Sequence, residues 1–143
     1  MTSVAHLLHA KGHAVWSIPP DASVYDAIRL MADKEVGALL VIDAQRLVGI
    51  VSERDYARKV ILQGKSSKGT PVREIMTDKV FYVRPEQTVE DCMALMTARR
   101  IRHLPVLEDD QVIGVVSIGD LVKAVISEQE VRIQQLEQYI MGR

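Results

Sequence analysis

Cysteine is almost missing from this 143-residue sequence: Cys92 stands alone. No internal disulfide can form, and a reducing compartment, the cytoplasm, is the expected setting. Aromatic side chains are scarce too, with only Trp16, Tyr25, Tyr56, Phe81, Tyr82 and Tyr139 present. That excludes a base-stacking platform for single-stranded nucleic acid and leaves the core to Val, Ile, Leu, Met and Ala. Neither sign of charge is in excess, since 18 basic residues face 19 acidic ones for a net charge of −1. Such a balance favours neither non-specific nucleic-acid binding nor an acidic membrane surface. No run of about 18 uncharged apolar residues occurs, so no membrane span is expected. The opening MTSVAHLLHAKGHAV is broken by His6, His9, Lys11 and His13, which is unlike the continuous apolar region of a signal peptide. Those histidines come without the accompanying ligands of a metal site, and none is expected. Walker, G-x-G-x-x-G and G-x-S-x-G motifs are missing as well, so the sequence offers no catalytic centre.

What the sequence has is itself, twice. At an offset of 65, residues 15–61 lie over residues 80–126 without a gap, and fourteen of the 47 pairs are identical, among them Pro20/Pro85, Asp26/Asp91, Met31/Met96, Gly49/Gly114, Ser52/Ser117 and Asp55/Asp120. An internal duplication follows. Each copy opens with a short apolar run (Val15 to Ile18; Val80 to Val83) that ends at proline, as a strand leaving a sheet does. A helix should follow, capped by Ser23 or Thr88, with Val24, Ala27, Ile28 and Met31, or Val89, Cys92, Met93 and Met96, on one buried face. Two apolar runs joined by DAQR or EDDQ predict a hairpin in each copy. A last helix carries Tyr56, Ala57, Val60 and Ile61 in one copy and Leu121, Val122, Val125 and Ile126 in the other.

The expected fold is therefore α+β (mixed α/β), two β-α-β-β-α repeats with pseudo-two-fold symmetry plus an N-terminal helix and an extended C-terminal helix. The expected boundaries are 1–66 for the first repeat with the N-terminal helix, 67–126 for the second and 127–143 for the extension. One repeat is too small to bury a good core alone, so the two are expected to share one. QGKSSKGTP (63–71) reads as an exposed loop, and VREIM as one helical turn leading into the second unit. In the extension, Val131, Ile133, Leu136 and Ile140 invite a partner helix or a dimer mate.

GIVSERD (49–55) and GVVSIGD (114–120) carry the chemistry. A strand running straight into a helix leaves Ser52 or Ser117 at an N-cap, where amides are unpaired and the dipole is positive, a ready anion site. The glycine admits a ligand or a neighbouring backbone, and the aspartate one turn on could accept from a vicinal diol. Phosphate donors beside a diol acceptor describe a ribonucleotide. Ser-x-x-Asp is equally a local capping arrangement that needs no ligand. Cys92, on the apolar stripe opposite Ala27, reads as a buried inert thiol.

IPPDASVYDAIRLM, ALLVID and GIVSERD, then VRPEQTVEDCMALM, HLPVLE and GVVSIGD, resemble the paired domains of the cystathionine-β-synthase (CBS) family over residues 1 to about 126. The resemblance implies a non-catalytic module that binds adenine nucleotides in clefts between the copies: AMP, ADP or ATP, with NAD(H) as a further candidate. It implies a homodimer and an unidentified regulated protein as partners; many members of that family are fused to an enzyme, channel or transporter, but this sequence leaves no room for one, and a stand-alone module is expected. By the same resemblance Asp55 with Ser52, and Asp120 with Ser117, would hold ribose and phosphate. Ser17, Ile18, Tyr82 and Val83 from the first strands, and Ala38, Leu39, His103 and Leu104 from the hairpins, would line the adenine pockets, and Arg102 with His103 would reach phosphate. Gly37 and Ala38 replace Arg102 and His103 in the first copy, and Arg54 stands opposite Gly119, so the two sites should differ. The competing expectation is a ligand-independent homodimer assembly or protein-interaction module.

Overall fold

The computed structural model describes residues 2–142. They run in the order α1 (Val4–Lys11), β1 (Ser17–Ile18), α2 (Val24–Lys34), β2 (Ala38–Asp43), β3 (Arg46–Ser52), α3 (Glu53–Tyr56), a π-helical turn Ala57–Ile61, a 3-10 turn Val72–Glu74, α4 (Val89–Arg99), β4 (His103–Glu108), β5 (Gln111–Ser117) and α5 (Ile118–Ile140). The mixed α+β repeats with N- and C-terminal helices match the expectation. The chain divides into two compact units: Val15–Phe81, and the chain up to Ala14 together with Tyr82 onward.

In the unit of the first repeat, β1 pairs parallel with β2, and β2 pairs antiparallel with β3, placing Ala38 opposite Ser52 and Leu39 opposite Val51. The hairpin turns at Ala44 and Gln45, both at positive φ (49° and 68°), the twist-matched two-residue geometry. Ser23 caps α2 by accepting from the Asp26 amide at 3.1 Å. Below the sheet Val24, Ala27 and Met31 join Ile18, Leu39, Val41, Val51 and Val60 in one buried cluster. The last helix differs from the expected single element, since four α-helical residues pass into the π turn, where the Leu62 amide reaches back to the Ala57 carbonyl at 3.1 Å.

The unit of the second repeat copies the hairpin, with His103 opposite Ser117 and Leu104 opposite Val116. Asp109 and Asp110 make the same positive-φ turn. The expected first strand shrinks to a bridge in which the Val83 amide donates to Pro105 (3.0 Å) and its carbonyl accepts from Leu107 (2.9 Å). Thr88 and Asp91 cap α4 reciprocally. After β5 the helix does not stop: α5 runs 23 residues.

Each repeat is closed by a segment from outside it. Val4, Leu7 and Leu8 of α1, expected with the first repeat, are buried in the core of the second with Val89, Cys92, Met96, Leu104 and Val116. Val72 and Ile75, expected to lead into the second repeat, are buried in the core of the first. The two segments dock alike: Ser3 bridges Thr88 while Pro71 bridges Ser23, and Val89 donates to the Thr2 carbonyl as Val24 does to Thr70, both at 2.9 Å. They are counterparts at an offset of 68, not 65. Each fully buried aliphatic side chain contributes about 1.5–3 kcal/mol, apolar burial that a 47-residue repeat lacks.

The same docking explains the glycines of the repeated motif. A Cβ on Gly114 would stand 2.7 Å from Leu8 Cδ2, and one on Gly49 would stand 2.6 Å from Met76 Sδ and 3.0 Å from the Thr77 carbonyl oxygen. Glycine is needed here because the incoming turn lies on the strand, a neighbour of the chain and not a ligand.

Candidate functional site

In both units the serine ends the second hairpin strand in extended geometry and the next residue is helical, so serine and aspartate meet across the first turn. Ser117 Oγ accepts from the Asp120 amide at 3.3 Å, and Asp120 Oδ2 accepts from the Ser117 amide at 2.8 Å. Ser52 and Asp55 repeat this at 3.2 and 3.0 Å, with a further hydrogen bond from the Ser52 hydroxyl to Asp55 Oδ2 at 3.2 Å. These are closed capping boxes. The first helical amides are engaged too: Ile118 donates to the Arg102 carbonyl at 2.9 Å and Glu53 to that of Gly37 at 3.0 Å. Two of the amides that a bare helix start would offer to an anion are thus already used inside each unit.

Each carboxylate has a lysine, drawn from a different place. Lys59, one turn further along in the first repeat, lies 3.1 Å from Asp55 Oδ1 and donates to the Ile75 carbonyl at 2.9 Å. In the second repeat the lysine is Lys11 of α1, 2.6 Å from Asp120 Oδ2 and hydrogen-bonded also to the Val115 carbonyl. Burial opposes ionisation of Asp120, but the hydrogen bonds from Lys11 and Ser117 outweigh it and hold the carboxyl below its ordinary range. His103, half-buried opposite Ser117, has its pKa pushed down by burial first and then by Lys11, with Asp120 pulling the other way and Arg102 adding to the depression. A cavity of 780 Å³ between α1 and α5 borders this cluster, lined by Lys11 and Asp120 and by His6, Lys123 and Arg132 among others.

The structure brings the residues expected from the sequence into two groups by repeat. Ser17, Ala38, Ser52, Arg54 and Asp55 lie in one unit with outward or half-buried side chains, and Tyr82, Arg102, His103, Ser117, Gly119 and Asp120 in the other. Ile18, Leu39, Val83 and Leu104 are at most 5% exposed; their side chains belong to the cores, leaving only backbone to meet a ligand. For Val83 both backbone groups are already paired. Lys11 and Lys59 were missed. Lys11 lies outside the ungapped register, and its signal is the V-x-x-L-L turn of α1 answering V-x-x-I-M before the second repeat. Lys59 was legible as the i+4 partner of Asp55.

Among the described residues no three His, Cys, Asp or Glu side chains converge as a metal site, and no helix is long and apolar enough to cross a membrane.

Known proteins carry the same pattern. The chain is 45% identical over 151 aligned positions to the CBS domain-containing protein CBSX3, mitochondrial, of Arabidopsis thaliana, covering 99% of this chain and 73% of that protein. A crystallised protein with CBS domains from Burkholderia ambifaria MC40-6 is 56% identical and superposes with a TM-score of 0.87, covering 90% of this chain and 96% of that one. The CBS domain pair of protein MJ0100, solved with 5′-methylthioadenosine and S-adenosyl-L-methionine, shares the fold at 24% identity and a TM-score of 0.80, covering 90% of this chain and 98% of that one. The family model described as CBS domain matches twice, over residues 12–61 and 72–127. With both repeats matched and the folds superposed, the chain belongs to the CBS-domain family as a tandem pair.

Proposed function

We propose that the chain is a regulatory module, not an enzyme, that binds an adenine nucleotide (AMP, ADP, ATP or NAD(H)) and reports its level through a partner protein, acting as a homodimer. The observation that carries this reading is the convergence of Lys11, His103 and Ser117 on Asp120: cationic and neutral donors suited to phosphate stand beside an acceptor suited to a ribose diol. That a CBS pair of the same fold holds two adenosine compounds supports adenosine as the recognised half. Ala38 and Gly37 give the first repeat neither the imidazole nor the guanidinium of its counterpart, so phosphate binding is assigned to the second repeat. The buried lone thiol fits a reducing interior, and the cytoplasm is the compartment of this reading.

A second reading, ligand-independent assembly, draws on the capping boxes, which close without a ligand. Titration calorimetry with AMP, ATP, NAD and S-adenosylmethionine separates the two. Binding is expected, and Asp120→Ala should weaken it by more than about 1 kcal/mol, the loss of a charged hydrogen-bond acceptor. No heat and no thermal shift with any of the four would leave the assembly reading standing.

A further inference from the structure

The first two turns of α5 face the core with Leu121, fully buried, and with Ala124 and Val125 packed against the same cluster. A quarter turn away lies a second row: Val122, Ile126, Gln129, Ile133, Leu136 and Ile140. Its spacing alternates four and three without a break, the a/d repeat of a two-stranded coil, with Ile126, Ile133 and Ile140 at a and Val122, Gln129 and Leu136 at d. Its apolar members are 44–80% exposed. Over 18 residues the row extends about 27 Å. The row lies on the other side of the helix from Ala124, Val131 and Gln135, which line the α1–α5 cavity.

We infer that this row is the seam of a parallel coiled coil with α5 of a second copy of this chain. Three features select that occupant. Isoleucine at all three a positions, with leucine at the last d position, Leu136, fits two strands, and the lone polar d residue, Gln129, meets its own counterpart across the seam. The flanking charges select the direction. Arg132 stands at g and Glu137 at the following e, so a parallel pair sets each Arg132 against Glu137 of the second copy, twice. An antiparallel pair would set g against g, taking Glu137 away from Arg132. Within the chain Arg132 has Glu128 at 3.9 Å with 63% of its side chain exposed, a contact weak enough to exchange. This goes beyond the homodimer reading by naming the face, the register and the direction.

The test is disulfide trapping of the full chain carrying Cys92→Ala, the residue that the first repeat holds at the matching position. In a parallel in-register coil two d residues face each other with Cα atoms inside the about 4.4–6.8 Å that a disulfide requires. Gln129→Cys should therefore convert most of the protein to a covalent dimer under mild copper oxidation, while Val131→Cys on the outer face should not. Arg132→Glu should suppress trapping at position 129, and adding Glu137→Arg should restore it. Failure of Gln129→Cys to cross-link overturns the seam. If light scattering then still gives twice the 16.0 kDa chain mass, the homodimer survives through another face; if it gives the monomer, both fall. Trapping that ignores the charge swap overturns the parallel direction.

Discussion

Gly114→Ala should be one of the most damaging single-methyl additions this chain can receive. The added Cβ would fall 2.7 Å from Leu8 Cδ2 and 3.0 Å from Cδ1. Ordinary carbon contacts lie near 3.5–4.0 Å, so Leu8 must retreat by about an ångström. It has nowhere to go: Leu8 is 0% exposed, enclosed by Val4, Val116 and the rest of the cluster. Overpacking of this kind costs about 1–3 kcal/mol. At about 2–4 °C per kcal/mol for a chain of this size, the midpoint of thermal unfolding should fall by about 2–12 °C. Leu8→Ala alone opens a cavity and should cost about 2–5 kcal/mol. Combined, each change relieves the other, and the double variant should be less damaged than the sum by about 0.5–3 kcal/mol. Urea unfolding of the four proteins completes the cycle. Additive losses, or a Gly114→Ala variant within about 0.5 kcal/mol of the parent, would mean that α1 does not lie on β5 as described.

Three further outcomes follow from the site and the core. The depressed pKa of His103 means that the folded state favours neutral imidazole, so its stabilising effect is complete above the unfolded value of 6.5 and is lost as pH falls through the folded one. Stability by urea unfolding should decline below pH 6.5 and that slope should flatten in His103→Gln; the depressed carboxyl of Asp120 acts in the same sense but only below its ordinary 3.8. Lys11→Met should weaken AMP by about fivefold, the loss of one partly exposed charged hydrogen bond, while leaving adenosine nearly unchanged; equal losses for both ligands in calorimetry would make Lys11 a structural strut. Burial and the neighbouring Asp91 push the Cys92 thiol up to about 11, so iodoacetamide at pH 8 should label it by mass spectrometry only in urea, and native labelling would contradict its place in the core.

The hairpins, the caps at Ser23 and Thr88 and the buried stripes were legible because each is a local pattern written twice, and a strand pair joined by a two-residue turn needs no information from elsewhere. The apolar run Val80 to Val83 predicts a full strand, yet Phe81 and Tyr82 are exposed, and the contact with β4 is the bridge at Val83. The docking of α1 and of Val72–Glu74 was hidden for a different reason. A turn of helix shows that it has an apolar face, but not which strand receives it, and the extra residues after α1 shift these counterparts out of the ungapped register. Lys11 was lost with them, and with it the cation nearest to Asp120.

That shift is also what makes the two sites unequal. Duplication copied the serine, the aspartate and the glycine, the parts of the motif that close the cap and admit the docked turn. The ion pairs were not copied: Ala124 stands opposite Lys59, and Asp55 takes Lys59 as its partner and not Lys79, which answers Lys11 at the offset of 68. In the first repeat Lys59 sits on the same helix as Asp55 and is bound to the Ile75 carbonyl of the docked turn, so it moves with its own unit. In the second, Lys11 comes from the far end of the chain, on a helix held to the repeat by Leu7 and Leu8. A ligand that pulled Lys11 from Asp120 toward a phosphate would therefore act on the seating of α1 and, through the cavity they share, on α5. The first site has no such lever, because Lys59 is local. A nucleotide signal that reaches the ends of the chain is expected to start from Asp120.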